Sequence, residues 1–246
     1  MDENSQHSAI QFQRVSKKRS QSQLVLDSID LTIKAGELVA LIGENGAGKT
    51  TLIKTLLDLV DVNSGEIFIG GNSHNKPEAR RGMAYLPEQF RPPHFLTGLQ
   101  FVRSMTRLAG VDATHAEIEA KAQDLALDVK ALRKTSGHYS KGMQQKLGLI
   151  AALLSGEKWL VLDEPMSGLD THARVLLKQQ LLELRNAGRG ILLSTHLLND
   201  AEDFCDHLVV LDKGRVLFSG TRAEFYAAYD VRSLEQAYLD CVNLNQ

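Results

Sequence analysis

The sequence contains little cysteine and no long apolar run. Its two cysteines, Cys205 and Cys241, lie far apart and belong to no CxxC or Cys/His spacing. The sequence therefore indicates neither a disulfide framework nor a zinc site. The longest apolar run, Leu147 to Leu154, is broken at Gly148 and is far shorter than the roughly 20 residues that a bilayer-spanning helix needs. We expect no membrane span, so any membrane role would come from a partner.

The sequence also lacks an excess of basic charge and a secretory signal. Lysine and arginine together number 28 against 30 aspartates and glutamates, which gives a formal net charge of −2. No nucleic-acid partner is expected from that balance, because nucleic-acid binders carry a strongly basic surface. Residues 1–11, MDENSQHSAIQ, are polar and contain no apolar core with a cleavage site. We therefore expect the chain to stay in the cytoplasm.

What the sequence does contain is the composition of an ordinary folded domain. Hydrophobic residues make up 43% and charged residues 24% of the 246 residues, which excludes disorder or a coiled coil as the main architecture. That length fits a single domain over residues 1–246. Apolar and polar residues alternate at the front of the chain, which predicts half-exposed antiparallel strands. The alternating apolar positions are Ile10 and Phe12, then Ile29, Leu31 and Ile33.

A glycine-rich loop follows the nearly all-apolar residues 37–42, which we predict to be a strand buried on both faces. A helix over 51–60 is expected after the loop, ended by the Asn-Ser-Gly cluster at 63–65. The loop fits G-x-x-x-x-G-K-[ST], in which backbone N–H groups and lysine bind phosphates and the hydroxyl binds magnesium. We therefore expect ATP to bind here, with Thr50 also a magnesium ligand. The expected ATP-binding residues of this segment are Gly43, Glu44, Asn45, Gly46, Ala47, Gly48, Lys49, Thr50 and Thr51.

Downstream of residue 88 the pattern becomes helical and then returns to alternating strands and helices. Helices are predicted over 99–108, 116–127 and 141–155, then a strand over 159–162, a helix over 171–186, strands over 190–194 and 207–211, a hairpin turn at 212–215 and two short helices over 221–240. We therefore predict an α/β fold: a P-loop ATPase core with helices flanking a mixed sheet, N-terminal antiparallel strands and an inserted helical subdomain. The core would span 1–87 and 159–219, the subdomain 88–158 and a helical tail 220–246.

Two acids end the apolar strand at 159–162. Asp163 stands where a phosphate-loop enzyme anchors magnesium with a carboxylate. Glu164, directly after it, is placed to take a proton from, or to orient, the water that attacks the γ-phosphate. A solvated strand end explains neither the pair nor Pro165, which follows it. We expect Asp163 to bind magnesium and Glu164 to be catalytic.

One of the eight histidines has a functional context. His196 follows an apolar strand at the end where ligands of open α/β sheets collect. We expect it to contact the γ-phosphate and to be catalytic. The other seven histidines are expected on the surface or in the core.

Residues 139–146, Tyr-Ser-Lys-Gly-Met-Gln-Gln-Lys, resemble the signature sequence of ABC ATPases. The segment 167–170, Ser-Gly-Leu-Asp, resembles the D-loop of that family, and Ser-Thr-His at 194–196 resembles its switch histidine segment. The resemblance covers about residues 10 to 239. It implies a sandwich of two such subunits, identical or paralogous, in which each ATP lies between one phosphate loop and the opposite signature. Contacts of Ser140, Gly142 and Asp170 with ATP are implied; Ser140 begins a helix whose N-terminus suits an anion.

Two segments depart from the family pattern. Tyr-Leu-Pro-Glu-Gln at 85–89 resembles the Q-loop, but alignment on Tyr-x-Pro places Glu88 where glutamine is usual and Gln89 one position later. Both stay candidates for the residue that senses magnesium. Where the family offers an aromatic ring to adenine, this sequence has Arg19 or a neighbour. A guanidinium can stack on a base, and a solvated basic cluster from Lys17 to Arg19 is the equal alternative.

Three short segments are similar to the exporter branch of the family, whose membrane subunits are separate chains. These are residues 139–143, the Tyr-Leu-Pro-Glu form of the Q-loop and residues 233–239. The resemblance therefore implies an ATP-hydrolysing motor subunit, peripheral on the inner face of the cell membrane. Its implied partners are a second ABC ATPase subunit and an integral membrane permease, and its implied cofactors are ATP and magnesium.

Two alternatives stay open at this point. One is an ABC ATPase that moves no solute and acts on ribosomes, DNA ends or cluster assembly. Such members usually carry two cassettes in one chain or a long coiled coil, and this sequence has neither. The other is a non-hydrolysing regulatory cassette with a degenerate site. The intact residues argue against it: Lys49, Thr50, Asp163, Glu164 and His196.

Overall fold

The computed structural model describes residues 9–20, 23–202, 204–231 and 233–244. Strands and helices follow one another in a mixed α/β order, so the predicted fold class is confirmed. Within the ranges just given, no helix is both long and apolar enough to cross a membrane. In chain order the elements are β1 (Ala9–Lys18), β2 (Leu24–Lys34), β3 (Leu38–Ile42), α1 (Lys49–Leu56), β4 (Ser64–Ile69), β5 (Asn72–Ser73), α2 (Pro77–Arg80), β6 (Met83–Leu86), α3 (Gly98–Leu108), α4 (His115–Asp124), α5 (Lys141–Leu154), β7 (Trp159–Leu162), α6 (Thr171–Asn186), β8 (Gly190–Thr195), α7 (Asn199–Glu202), β9 (His207–Asp212), β10 (Arg215–Gly220), α8 (Arg222–Tyr229) and α9 (Leu234–Leu244).

The chain is divided into two compact units. The first comprises the described residues within 1–81 and 190–246, and the second comprises residues 82–189. The second unit contains the predicted helical segment 88–158 together with β6, β7 and α6. The finer division into a catalytic core, an inserted helical subdomain and a tail stays a prediction.

One sheet of the first unit is antiparallel, with its strands in the order β2-β1-β4-β5. The alternating apolar side chains of β1 and β2 are at most 5% exposed: Ile10, Phe12, Ile29, Leu31 and Ile33. Because successive side chains of a strand point to opposite faces, one face of this sheet is buried and the other carries the polar residues. The two strands predicted at the front of the chain are therefore confirmed.

The other sheet of the first unit places β3 between β8 and β9, and β3 runs parallel to both. All residues of β3 and β8 are buried, as near-continuous apolar strands should be. β10 pairs with β9 in an antiparallel hairpin. Its turn residues Lys213 and Gly214 have φ values of 45° and 79°, which confirms the predicted hairpin turn at 212–215.

The helix after the glycine-rich loop starts and ends earlier than predicted. α1 spans Lys49–Leu56 instead of 51–60, because Asp58 takes a left-handed φ of 56°. The prediction that residues 63–65 end this helix is wrong, since α1 ends at Leu56 and β4 begins at Ser64. Gly65 is needed in this strand, because a Cβ there would lie 2.3 Å from the carbonyl oxygen of Arg14. In the sequence such a glycine looks the same as a turn glycine.

The second unit consists mainly of helices and contains no strand between residues 88 and 158. α3 and α4 each begin with a capping box, at Thr97 and Thr114, which fixes their first turns. The predicted helices over 99–108, 116–127 and 141–155 are confirmed with small shifts at their ends. α4 ends early, at Asp124, because Ala126 has a left-handed φ of 51°. β6 and β7 pair in parallel in the same unit.

The tail forms two helices, α8 and α9, as predicted. Phe225 of α8 is fully buried, and its ring centroid lies 4.5 Å from that of Phe218 on β10 and 5.3 Å from that of Tyr229. α9 buries Leu234, Ala237 and Cys241 completely. The tail is therefore packed into the first unit through apolar side chains.

Candidate nucleotide-binding site

The glycine-rich loop joins β3 to α1 within the first unit. Gly46 and Gly48 have φ values of 91° and 114°, which glycine adopts without steric cost. A Cβ at Gly43 would lie 2.3 Å from the carbonyl oxygen of Leu211, so only glycine fits there. Gly48 is the N-cap of α1 and supplies no side-chain cap. The first N–H groups of α1 and the positive end of its dipole therefore suit an anion.

Lys49 adds a positive charge to this loop. Its ammonium donates to the carbonyl oxygens of Gly43 at 2.6 Å and Glu44 at 3.2 Å, and the residue is only 6% exposed. Thr50 and Thr51 follow in the first turn of α1 and are half-buried. The loop thus combines glycine turns, a helix N-terminus, a cation and hydroxyl groups, which are the parts that a polyphosphate with magnesium requires.

His196 lies at the same edge of the sheet as the loop. β3 and β8 pair in parallel with Ile42 opposite Thr195, so the next residue of each strand, Gly43 and His196, leaves the sheet at the same end. The N–H of Gly43 donates to the carbonyl oxygen of Thr195 at 3.4 Å. His196 is exposed. The structure therefore brings this predicted residue beside the loop, and its contact with the γ-phosphate stays a prediction.

Tyr238, on α9, belongs to no motif and also lies near the loop. Its hydroxyl is close to the backbone and the carboxylate of Glu44. Burial raises the pKa of Tyr238, and the nearby carboxylates of Glu44 and Asp212 raise it further. No sequence signal connects a tail helix with a loop so far earlier in the chain. Tyr238 comes near the loop only because α9 packs into the first unit.

Asp163 and Glu164 follow β7 in the second unit. Asp163 is fully buried, and its N–H donates to the carbonyl oxygen of Leu86 at 2.8 Å. Glu164 is 8% exposed and has a φ of 50°, which is uncommon for a residue with a Cβ. Its carbonyl oxygen accepts the N–H of Ser167 at 3.0 Å, which closes a tight turn. The two acids are therefore held in a fixed backbone turn, unlike a solvated strand end.

Glu88 and Gln89 lie on the loop after β6, and both are exposed. Phe90 anchors this loop, because its ring centroid lies 5.5 Å from that of Phe101 on α3. Burial raises the pKa of Tyr85 to about 12, with added effects from the carboxylates of Asp163 and Glu88. Glu88 and Asp163 thus lie near the same hydroxyl group. Both Glu88 and Gln89 stay predicted magnesium residues.

The signature residues line a cleft of about 330 Å³ in the second unit. Ser140 is the N-cap of α5, and its hydroxyl accepts the N–H of Met143 at 3.2 Å. Gly142 packs closely on the D-loop, because a Cβ there would lie 2.8 Å from the carbonyl oxygen of Gly168. Asp170 lines the same cleft. The structure therefore brings together the three residues of this region that were predicted to contact ATP.

The Asp170 carboxylate has two contacts on its own chain. One oxygen accepts the N–H of Ala173 at 2.8 Å and caps α6, and the other accepts the ammonium of Lys146 at 3.4 Å. The hydrogen bond from Ala173 is the main reason that the pKa of Asp170 is lowered, and the charge of Lys146 lowers it further. The carboxylate is therefore an anion that holds two helices in place.

Arg19 lies at the end of the β1–β2 hairpin and is exposed. Its N–H donates to the carbonyl oxygen of Gln23 at 2.8 Å, and residues 21–22 between them lie outside the described ranges. Both interpretations of Arg19, a base-stacking residue and a member of a solvated basic cluster, stay predictions.

Each unit, taken by itself, contains groups that suit ATP or magnesium. The loop N–H groups and Lys49 are donors for phosphate oxygens. Magnesium takes hard oxygen ligands, and it usually binds through one or two carboxylates together with substrate phosphates. The Thr50 hydroxyl and the buried Asp163 carboxylate are ligands of that kind.

A comparison with known families and proteins identifies the family. The family model described as ABC transporter matches residues 26–167, more than half of the 246-residue chain. The uncharacterized ABC transporter ATP-binding protein sll0415 of Synechocystis is 35% identical over 202 residues, which are 81% of this chain and 57% of that protein. This chain thus spans little more than half the length of that relative.

Two further matches cover a larger share of both compared proteins. The Nod factor export ATP-binding protein I of Burkholderia lata is 35% identical over 215 residues, 86% of this chain and 70% of that protein. A solved structure of an ATP binding subunit of an ABC transporter has a TM-score of 0.83 and 34% identity, and covers 96% of this chain and 100% of that chain. The chain therefore belongs to the ABC transporter family, as an ATP-binding subunit.

Proposed function

We propose that this chain hydrolyses ATP as the motor subunit of an ABC exporter, together with a second ATPase subunit and a membrane permease. The observation that carries the proposal is a pair of helix N-termini suited to anions, at α1 after the phosphate loop and at α5 after the signature. The family resemblance assigns these two N-termini to opposite sides of one ATP. Hydrolysis then takes place where a phosphate loop and the signature of another subunit meet.

The phosphates of ATP lie along residues 43–51 in this proposal. The Lys49 ammonium donates to the carbonyl oxygens of Gly43 and Glu44. When ATP binds, it donates to oxygens of the terminal phosphates instead. His196, at the same sheet edge, donates to the γ-phosphate. Tyr238 lies beside this loop, close to Glu44.

Glu164 is proposed as the general base. Its carboxylate accepts a proton from a water molecule while the water oxygen bonds to the γ-phosphorus. The bond between the γ-phosphorus and its bridging oxygen breaks, and ADP leaves with that oxygen. A magnesium ion held by Thr50 and Asp163, and sensed by Glu88 or Gln89, would neutralise charge on the β- and γ-phosphates. The turn at Glu164 keeps the base in one orientation during this step.

The second ATPase subunit is a copy of this chain or a paralogue. Ser140, Gly142 and Asp170 line a cleft of about 330 Å³ that gives an incoming nucleotide access to the N-terminus of α5. A ligand held by a phosphate loop on one side and this cleft on the other joins two subunits. ATP therefore acts as the contact between them.

The membrane partner is proposed to dock on the second unit, beside the loop after β6. A cleft of about 240 Å³ is lined there by Phe90, Phe101 and Met105 among others, and Met105 and Leu108 on α3 are 42% and 81% exposed. An exposed apolar patch of this kind suits the packing of a partner helix. Export is supported by the Nod factor export relative and by the exporter-like segments 139–143 and 233–239. This docking would place the chain at the inner face of the cell membrane.

The test of this function is phosphate release by Glu164→Gln compared with Glu66→Gln, a matched change at an exposed strand position. Loss of a positioned general base typically costs about 10²- to 10⁴-fold in rate, so Glu164→Gln should lose hydrolysis by that factor. Its ATP affinity should be retained, because the phosphate loop is unchanged, and Glu66→Gln should behave as the parent does. Hydrolysis at the parental rate by Glu164→Gln would show that another group is the base. A parent that binds ATP but releases no phosphate, alone or with its co-purified partners, would favour a regulatory cassette.

A further inference from the structure

We infer that Lys146 is a positioning residue that holds the segment 165–170 against the signature helix α5 and thereby sets the turn at Glu164. The inference rests on the proposed function, because it concerns how ATP contact at the signature reaches the general base. Three contacts inside the second unit, together with the burial of Lys146, support it.

Three residues of α5 bind the segment that follows Glu164. The side-chain amide of Gln145 donates to the carbonyl oxygen of Pro165 at 3.2 Å. Gly142 packs on the backbone of Gly168 so closely that a Cβ would lie 2.8 Å from its carbonyl oxygen. Lys146 donates to the Asp170 carboxylate at 3.4 Å. The helix that begins at Ser140 is thus attached to both ends and the middle of the segment.

Lys146 is the charged member of this attachment. It is 8% exposed, and its ammonium also donates to the carbonyl oxygen of Ala126 at 2.9 Å. The Asp170 side chain, by contrast, is 63% exposed. An ion pair with an exposed partner contributes little to stability, while burying an ammonium is costly. The pair is therefore better explained by the position it gives to residues 165–170 than by the stability of the unit.

The attached segment continues directly into the turn that carries the base. The N–H of Ser167 donates to the carbonyl oxygen of Glu164 at 3.0 Å, and Glu164 has the left-handed φ of 50°. A shift of α5 when ATP contacts Ser140 and Gly142 is therefore passed through residues 165–170 to Glu164.

The test compares Lys146→Met, Lys146→Arg and the control Lys134→Met, an exposed lysine of the same unit. Methionine keeps roughly the length of the side chain and removes the ammonium, and the exposed Asp170 is not left as a buried charge, so we expect the fold to be retained. Misplacing a catalytic group lowers kcat, and we expect Lys146→Met to lose about tenfold to a hundredfold in kcat. KM for ATP and the Tm should match those of the parent. Lys146→Arg should recover most of the loss, and Lys134→Met should show none.

Parental kcat in Lys146→Met, or a rise in KM without a fall in kcat, would overturn the inference. So would a failure of Lys146→Arg to recover activity while its Tm stays parental. If Lys146→Met does not fold, Asp170→Asn is measured instead, because asparagine keeps the cap on α6 and removes the charge partner. A fall in kcat with an unchanged KM for ATP then separates the positioning effect from a lost ATP contact. Parental kcat in that variant would also overturn the inference. A parent that hydrolyses ATP through Glu164 while these variants are unaffected would leave the proposed function standing, so the two failures are distinguishable.

Discussion

The phosphate loop and the signature both lead into a helix N-terminus, but the two N-termini are capped differently. α1 begins at Gly48 without a side-chain cap, and Lys49 lies in the loop against carbonyl oxygens. α5 begins at Ser140, whose hydroxyl caps its own helix. At the N-terminus of α1, the loop itself therefore supplies the cation, Lys49, that binds a phosphate. The N-terminus of α5 has a satisfied helix end beside an open cleft, which suits contact with a nucleotide that another subunit already holds.

The lysines of the two regions show the same contrast. The carbonyl oxygens of Gly43 and Glu44, to which Lys49 donates, are neutral acceptors that phosphate oxygens can replace. Lys146 is buried and pairs with a carboxylate on its own chain. Nucleotide affinity should therefore depend on the phosphate loop, and the rate of hydrolysis should depend also on the signature region.

The largest effect that separates the two regions is expected from Lys49→Met. Removing the ammonium takes away the cation for the terminal phosphates, and ATP affinity should fall about 100-fold, or about 2.7 kcal/mol. Equilibrium binding of ATP by the isolated chain measures this. Lys54→Met, on the last turn of the same helix, should bind ATP as the parent does. Affinity within threefold of the parent in Lys49→Met would contradict the role given to the loop.

A smaller and different effect is expected from Ser140→Ala. The hydroxyl that would meet the nucleotide is lost, and a hydrogen bond to a charged group is worth about tenfold in rate. ATP affinity of the isolated chain should stay unchanged, because its phosphate loop is intact. Steady-state phosphate release together with equilibrium binding separates the two effects, and Ser104→Ala on α3 is the control. Equal losses in binding and in rate would remove the contrast between the regions.

The sequence predicted the phosphate loop well because its parts are local. A buried strand, glycines and a helix start occupy a short stretch, so residues 38–56 need no distant information. The acid pair after β7 was predictable for the same reason, since Asp163 and Glu164 directly follow an apolar strand. The predicted site residues themselves stay predictions, although the structure gives each of these segments the expected local form.

What the sequence could not predict depends on contacts between distant segments. The closeness of Tyr238 to Glu44 requires α9 to pack into the first unit. The pairing of Lys146 with Asp170 requires α5 to lie against the start of α6. In the sequence, Gly65 belongs to a cluster that predicts the end of a helix, and only the approach of Arg14 shows why glycine is needed there. Each of these is a tertiary contact without a local pattern.

The smallest effect concerns how the first unit responds to acid. His74 is 5% exposed, and burial lowers its pKa, with the charge of Asp58 acting in the opposite direction. The unfolded chain therefore binds more protons at this residue once the pH falls below about 6.5, the ordinary value for histidine. Stability should fall as the pH drops through that value towards the folded pKa, and should be fully present above it.

Urea unfolding across this pH range measures the effect. His74→Gln should have a shallower pH dependence than the parent, whereas the exposed His94→Gln should keep the parental dependence. An unchanged pH dependence in His74→Gln would show that other groups control acid stability.

The most direct test of the central claim is the oligomeric state of Glu164→Gln with ATP, measured by light scattering after size exclusion. Unhydrolysed ATP should hold a phosphate loop and an opposite signature together, so this variant should shift towards dimer with ATP and remain monomeric with ADP. Adding Ser140→Arg, which places bulk at the N-terminus of α5, should abolish the shift without preventing ATP binding. The same measurement with any co-purified cassette covers the case of a paralogous partner. An ATP-dependent dimer that persists in the double variant, or no dimer in either mixture, would contradict the claim that ATP joins two subunits through the phosphate loop and the signature.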